Sequence, residues 1–459
     1  MADPFDLVVL GGGPGGYAAA LYGASAGLRV AIVEEGAIGG TCLHRGCIPA
    51  KALLQTAEVL RTARGAAGFG VVTGEPSLDL PTAQSRKVDV VGRLAKGLTG
   101  LLDRRSVTVV PARGRLGTDG RTIVCADGDE VRGEHVVIAT GSSPRALDRP
   151  GLAFDGTQVL SSDHLLGIDS VPDRVAVVGG GAIGCEFASL LTDFGAQVTL
   201  VEATDRILPG VDAQVAQTVA RTFARRGITI VTGATVTEAN GVGLAYETAK
   251  GAARVEVDRI IVAVGRRPRS EDIGLEDAGV AVAPSGHVTV DPWLRTSVAG
   301  VYAVGDVVAT PQLAHVAFAE AITAVRTMLG EDPVPVDYDR VPWGIYCHPE
   351  VAFCGLTEEE ARERGHDVVT SVHRWGGNSR ALIVGETDGV AKIVADRSGA
   401  LIGVHLAGPW ATELIAEAQL ALNWDATASD VGAQIHAHPT LSELFGESVL
   451  ALTGRSLHA

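Results

Sequence analysis

One glycine-rich fingerprint occurs twice in this sequence, and few folds accommodate two. Residues 5–10 are an apolar run that reads as a strand. It leads into Gly11, Gly13 and Gly16, an alanine-rich helical stretch to Gly27, and a second strand, 29–33, that ends at Glu34. Glycines so spaced allow a tight turn and let the backbone approach a pyrophosphate at a helix N-terminus, and an acid about 20 positions on can take a ribose hydroxyl pair. A lone GxGxxG is a weak signal. Here the strand before it, the helix after it and the acid at the right distance make it specific. The series returns at 175–178, with Gly179, Gly181 and Gly184, a helix to Gly195, and a strand 197–201 ending at Glu202. Glu34 and Glu202 each lie 23 residues beyond the first glycine of their motif. The chain therefore contains an internal duplication of a nucleotide-binding unit.

Two such units imply two dinucleotides held at once, economically a bound flavin and a diffusing nicotinamide. At 459 residues the chain exceeds one ordinary core. The expected fold class is α/β: two Rossmann-like (three-layer) nucleotide-binding domains over 1–148 and 149–270, a central domain over 271–339 that completes the first site, and a C-terminal domain over 340–459. The last reads as α+β, with strands near 389–394 and 401–404 and a helix near 412–422.

Fifty-four acidic against 38 basic residues give a formal charge of -16. A surface that acidic repels phosphate backbones and anionic membranes, so neither nucleic acid nor a membrane is an expected partner. The N-terminal stretch has no basic n-region and no apolar run reaches spanning length, which reads as a cytoplasmic protein. There a disulfide is more often catalytic than structural.

Directly after the first fingerprint comes GGTCLHRGCIPAK, residues 39–51. Cys42 and Cys47 are close enough in sequence to close a small disulfide. They stand where a helix should begin, whose dipole would lower their pKa and favour thiolate. On an ideal helix positions five apart point about 140° away from each other, so the segment has to be bent for the sulfurs to meet. A zinc site would need further ligands, and Cys125, Cys185, Cys347 and Cys354 offer no CxxC partner, so no metal is expected. The position of the pair argues for a redox dithiol over two unrelated buried thiols.

Smaller motifs repeat. The runs 136–141, 260–265 and 300–306 are apolar strands that break at glycine, the last ending in Asp306. Asp306 suits the ligand crevice at a strand's C-terminal end, and equally a helix N-cap; both readings stand on the sequence. Near the C-terminus, HAHPTLSE supplies His436, His438, Pro439 and Glu443. A histidine on a proline turn, with a carboxylate five residues on for its other ring nitrogen, is a base with its orienting group. The sequence does not tell whether His438 meets Cys42.

The dithiol segment, the two fingerprints, AVGRRP, GDV and HPTLSE occur in the order found in the flavoprotein pyridine nucleotide-disulfide oxidoreductases, a family this chain resembles from residue 5 to about 450. Within it, the resemblance is strongest to the dihydrolipoamide dehydrogenases, the E3 components of 2-oxo acid dehydrogenase complexes. Mercuric reductases are similar but carry a terminal cysteine pair. Glutathione-type reductases use NADPH and place arginines after the second fingerprint, where this chain has Glu202, with Arg206 four residues on. Soluble transhydrogenases lack a complete dithiol. His44 and Arg45 depart from the LNVG that many members have between the cysteines.

The resemblance implies FAD-dependent oxidation of protein-bound dihydrolipoamide, with NAD+ reduced through a Cys42–Cys47 disulfide and His438 as base, held by Glu443. FAD would be held by Gly11, Gly13, Gly16, Glu34, Thr41, Lys51, Gly114, Gly141, Asp306 and the Ala314 amide. NAD would lie at Gly179, Gly181, Ile183, Gly184, Glu186, Glu202 and Gly265, with Glu186 paired to Lys51. It also implies a homodimer in which each histidine serves the other subunit, and docking to the lipoyl and peripheral subunit-binding domains of an acyltransferase (E2). The alternatives left open are an NAD(P)H-dependent reductase of another low-molecular-weight disulfide and a non-catalytic assembly subunit.

Overall fold

The computed structural model describes residues 4–241 and 243–458. Residues 1–3, where the expected first domain and the N-terminal reading begin, lie outside the described residues, as do Val242 and Ala459. The chain divides into two compact units, the first made of Met1–Leu53, Pro81–Arg145 and Arg266–Tyr338, the second of Leu54–Leu80, Ala146–Gly265 and Asp339–Ala459.

In the first unit a parallel sheet runs through Thr108–Val110, Val30–Val33, Phe5–Leu10 and Glu130–Ile138, and Val301–Ala303 pairs on the last of these. An antiparallel extension, Thr122–Cys125 and Gly114–Leu116, completes it. These strands read as continuous apolar runs because both faces are covered. Leu7, Val9, Val30 and Ile32 pack into one core, and Val8, Leu10, Ala31 and Val33 into another. The helices Pro14–Ser25 and Ala314–Met328 pack together in this unit.

The second unit repeats the design with a five-stranded parallel sheet in the order Thr229–Val231, Gln197–Val201, Arg174–Val178, Arg259–Val262, Val159–Leu160. It also contains a five-stranded antiparallel sheet, Trp343–Ile345, Glu350–Gly355, Leu401–Gly408, Val390–Asp396 and Val368–Arg374. The helices Ala411–Asn423 and Glu443–Leu452 pack on that sheet over a core containing Trp375, Val404, Leu422 and Phe445. The α/β class follows from these layers, with the C-terminal strands and helix where the apolar pattern put them. Among the described residues no helix is long and apolar enough to cross a membrane.

Candidate active site

The dithiol segment is bent, as two meeting sulfurs require. Helix Gly40–Arg45 carries Thr41 and Cys42 and stops at Gly46, whose ψ of -112° leaves helical geometry. Helix Cys47–Gly65 then opens on the second cysteine and carries Lys51 one turn later. Gly39 and Gly40 lead in with φ of 111° and 58°, backbone that favours glycine. A Cβ on Gly40 would lie 2.6 Å from the Gly13 Cα, and the Gly39 amide donates to the Gly12 carbonyl at 2.8 Å. The thiol segment is therefore seated on the first fingerprint loop. His44 Nε2 donates to the Ile38 carbonyl at 2.8 Å and closes the turn.

Cys42 is half-buried, Cys47 is exposed, and their side chains are hydrogen-bonded. That bond, followed by burial and the negative charge Cys47 would carry, pushes the Cys42 thiol up, and Lys51 opposes the shift. The helix dipole alone led to the opposite expectation. Two thiols in contact share a proton, and that coupling outweighs a helix end. Tyr17 comes up beside the pair from helix Pro14–Ser25. Its phenol is pushed up to about 12 by burial and then by the two cysteines, and its ring lies 5.7 Å from that of Phe318.

The first fingerprint has the shape a dinucleotide needs. Gly11 has φ 106°, and a Cβ there would sit 2.4 Å from the Ala139 carbonyl oxygen; one on Gly16 would sit 1.8 Å from the Gly11 oxygen. At Gly13 the surroundings are open, and the helix it precedes has no side-chain cap. Its first amides therefore face a space that a side chain would fill and an anion can enter. Glu34 accepts from the Gly12 and Gly36 amides at 2.6 and 2.7 Å. Gly141, φ 71°, is equally open, whereas a Cβ on Gly114 would meet Ile123, Leu10 and Val33, so Gly114 serves close packing under the sheet. Asp306 lies in the turn Gly305–Val307, and helix Ala314–Met328 takes Leu313 as N-cap, with no side-chain cap. The N-cap reading of Asp306 is thereby set aside, and the Ala314 amide belongs to a second uncapped helix start. Open glycines, uncapped helix starts and an acid bound to the fingerprint loop fit a dinucleotide such as FAD.

The second fingerprint reproduces the first. Gly179 has φ 103° with 2.4 Å to the Ala263 oxygen, Gly184 has 1.8 Å to the Gly179 oxygen, and Gly181 is open ahead of the uncapped helix Ala182–Phe194. Ile183 lies in that helix's first turn, and Gly265 is open with φ 110°. Glu202 accepts from the Gly180 amide at 2.6 Å and from the Thr204 amide at 2.7 Å. Glu186 is buried and accepts from the Tyr346 amide at 2.9 Å.

His438 Nδ1 donates to Glu443 Oε1 at 2.8 Å, and the other carboxylate oxygen accepts from the Thr440 amide at 2.7 Å. Burial works against the Glu443 charge, but the Thr440 amide and His438 outweigh it and hold the carboxyl below its usual range. With Nδ1 engaged, Nε2 is left as the basic nitrogen, on a side chain 70% exposed. His436 is bound instead to Glu417 at 2.8 Å. The dithiol belongs to the first unit and the His438–Glu443 pair to the second.

Other side chains join the site without having been singled out. Ser142 donates to Asp306 at 2.5 Å, and Arg266 Nε donates to the Ser142 hydroxyl at 2.7 Å, so Asp306 is oriented by residues following Gly141 and Gly265. Glu320, fully buried and with its carboxyl raised by burial, accepts from the Gly305 amide at 2.6 Å and the Tyr338 hydroxyl at 3.0 Å and fixes the Asp306 turn. The AVGRRP motif contained Arg266, and Tyr17 directly follows Gly16; nothing local marked Glu320.

Residues 5–321 match the family model described as pyridine nucleotide-disulphide oxidoreductase, and residues 341–449 match that family's dimerisation domain. The dihydrolipoyl dehydrogenase of Bacillus subtilis is 42% identical over 478 residues, covering 100% of both chains. Among solved structures, LpdA from Mycobacterium tuberculosis superposes with a TM-score of 0.89 at 29% identity, over 97% of this chain and 99% of that one. The Cu(II) complex of the HOCl-induced flavoprotein disulfide reductase RclA from Escherichia coli gives 0.87 at 27%, over 98% and 99%.

Proposed function

The chain belongs to the pyridine nucleotide-disulphide oxidoreductase family, and from that premise we propose that it oxidises protein-bound dihydrolipoamide to lipoamide and reduces NAD+ to NADH. The observation that carries this reading is the Cys42–Cys47 contact on a broken helix seated on the first fingerprint loop.

FAD, when bound, supplies a two-electron carrier between the dithiol and the nicotinamide. The chain's own residues do the rest. His438 Nε2, held in place by Glu443, takes the proton of one substrate thiol. The resulting thiolate attacks the Cys42 sulfur of the oxidised pair, which breaks the enzyme disulfide and forms a mixed disulfide. The second substrate thiol displaces Cys42, so lipoamide leaves with one S–S bond and the enzyme keeps two reduced sulfurs. The electron pair ends on NAD+ as hydride, with one proton released. Gly11, Gly13, Gly16, Glu34, Thr41, Gly141, Asp306, Ala314 and the Gly114 backbone would hold FAD, with Lys51 among them. Gly179, Gly181, Ile183, Gly184, Glu202 and Gly265 hold NAD.

The protein is a homodimer through residues 341–449, which match the family's dimerisation domain. Each His438 then serves the dithiol of the other subunit. Lipoyl groups arrive on an E2 acyltransferase, whose basic subunit-binding domain the acidic surface suits, and the setting is cytoplasmic. Purified holoprotein, mixed anaerobically with dihydrolipoamide and then NAD+, is expected to generate NADH absorbance. No NADH under those conditions, joined to NADH- or NADPH-dependent reduction of another disulfide, would replace the substrate and keep the family.

A further inference from the structure

The second fingerprint carries a cation that NAD binding leaves without a task. Arg206 lies four residues beyond Glu202, on a loop closed over the glycine turn. The Thr204 amide donates to Glu202 Oε1 at 2.7 Å, the Thr204 hydroxyl is within reach of Glu202 and of the Arg206 carbonyl, and the Leu208 amide donates to the Gly180 carbonyl at 2.7 Å. The Arg206 backbone is thereby held beside the carboxylate assigned to the ribose. A guanidinium there is the group that a 2'-phosphate would seek.

Its side chain is engaged elsewhere. The Arg206 Nη2 stands 3.4 Å from Glu359 Oε2 and 3.5 Å from the Pro209 carbonyl, and its Nε is buried with no hydrogen-bond partner among the described residues. Glu359 is held to this task by its neighbours. In the helix Glu358–Glu363, Glu358 is bonded to Lys392 at 2.7 Å and to Arg362 at 2.8 Å, and Glu360 closes a capping box with Thr357. Lys392, buried, also bonds Asp212 at 2.8 Å, the residue that caps helix Ala213–Arg225 at the end of the Arg206 loop. One lysine thus pins the acidic helix to that loop, and of three consecutive glutamates it is Glu359 that meets Arg206.

From this juxtaposition we infer that Glu359 is a second determinant of dinucleotide choice: it acts through Arg206, neutralising and holding aside the cation that would otherwise receive a 2'-phosphate. NADP is then refused by two carboxylates, Glu202 directly and Glu359 as a positioning residue. The inference rests on the reading of the second fingerprint as the NAD site. A partly exposed pair at this distance adds little to stability, so its removal leaves the fold in place.

The test compares kcat/KM for NAD+ and NADP+, with dihydrolipoamide, in wild-type and Glu359→Gln holoenzyme, together with inhibition by adenosine 2'-monophosphate and 5'-monophosphate. Glu359→Gln is expected to lower the NAD/NADP ratio roughly five- to tenfold, through KM for NADP+ rather than kcat, and to tighten the 2'-monophosphate alone. Adding Arg206→Ala is expected to erase both changes. A wild type that prefers NAD+, joined to an unchanged ratio in Glu359→Gln, or a gain that survives Arg206→Ala, overturns the inference alone. A wild type without preference overturns the NAD reading and the inference with it.

Discussion

The two fingerprint loops are near copies that receive different segments of the chain. In each, the amide of the glycine that follows the first fingerprint glycine is bound by the distal acid at 2.6 Å, Glu34 on Gly12 and Glu202 on Gly180. In each, the carbonyl of that glycine accepts from a downstream amide, and there the copies part. Gly12 receives Gly39, the start of the dithiol segment; Gly180 receives Leu208, on the loop of Arg206. Ile38 and Ile207 even occupy matching places, 2.7 and 3.1 Å from a Cβ built on Gly12 and on Gly180. One scaffold thus offers the same acceptor twice, once to the dithiol segment and once to the loop of Arg206.

The largest effect should come from the thiols. Cys42→Ser and Cys47→Ser are each expected to cut dihydrolipoamide turnover by about a thousandfold or more while the purified protein keeps its flavin absorbance; a colourless apoprotein would make the segment scaffold instead. His438→Gln is expected to lower the same turnover by about 10²–10⁴-fold and to spare NADH oxidation by an artificial acceptor. Equal loss of both activities would remove it from the base role. The copies can be broken separately with one substitution each. An alanine at Gly16 or Gly184 puts a Cβ 1.8 Å from a carbonyl oxygen and should cost about 1–3 kcal/mol of stability. Gly16→Ala is expected to release flavin, read by absorbance after gel filtration, and Gly184→Ala to raise KM for NAD+ with flavin retained. Identical behaviour of the two variants would dissolve the division of labour. The smallest effect is selectivity: kcat/KM for NAD+ should exceed that for NADP+ by at least about tenfold, about 1.4 kcal/mol, and comparable values would deny Glu202 its role.

Patterns that rest on local rules were legible early. Strand, glycine turn, helix and acid follow from backbone sterics within each repeat, and the proline turn of HPTLSE sets His438 and Glu443 within reach because they are five residues apart. The bend between Cys42 and Cys47 could be deduced from helical geometry, since the sulfurs cannot otherwise meet. The pKa direction at Cys42 could not, because it depends on a thiol contact and on burial. Asp306 illustrates the same boundary. From sequence it was a ligand or a cap, and only the start of the next helix at Ala314 separated the two.

The sequence by itself determined the duplicated nucleotide fold, the family and the pairing of Cys42 with Cys47 and of His438 with Glu443, because each is carried by residues a few positions apart whose conformations are fixed by short-range geometry. Only the tertiary structure decided what orients those residues. Ser142 and Arg266 reach Asp306, Glu320 fixes its turn, and Lys392 brings Glu359 to Arg206. These contacts join positions far apart in the chain, and no local pattern encodes them, since a charged side chain finds its partner only after the core has brought the two backbones together.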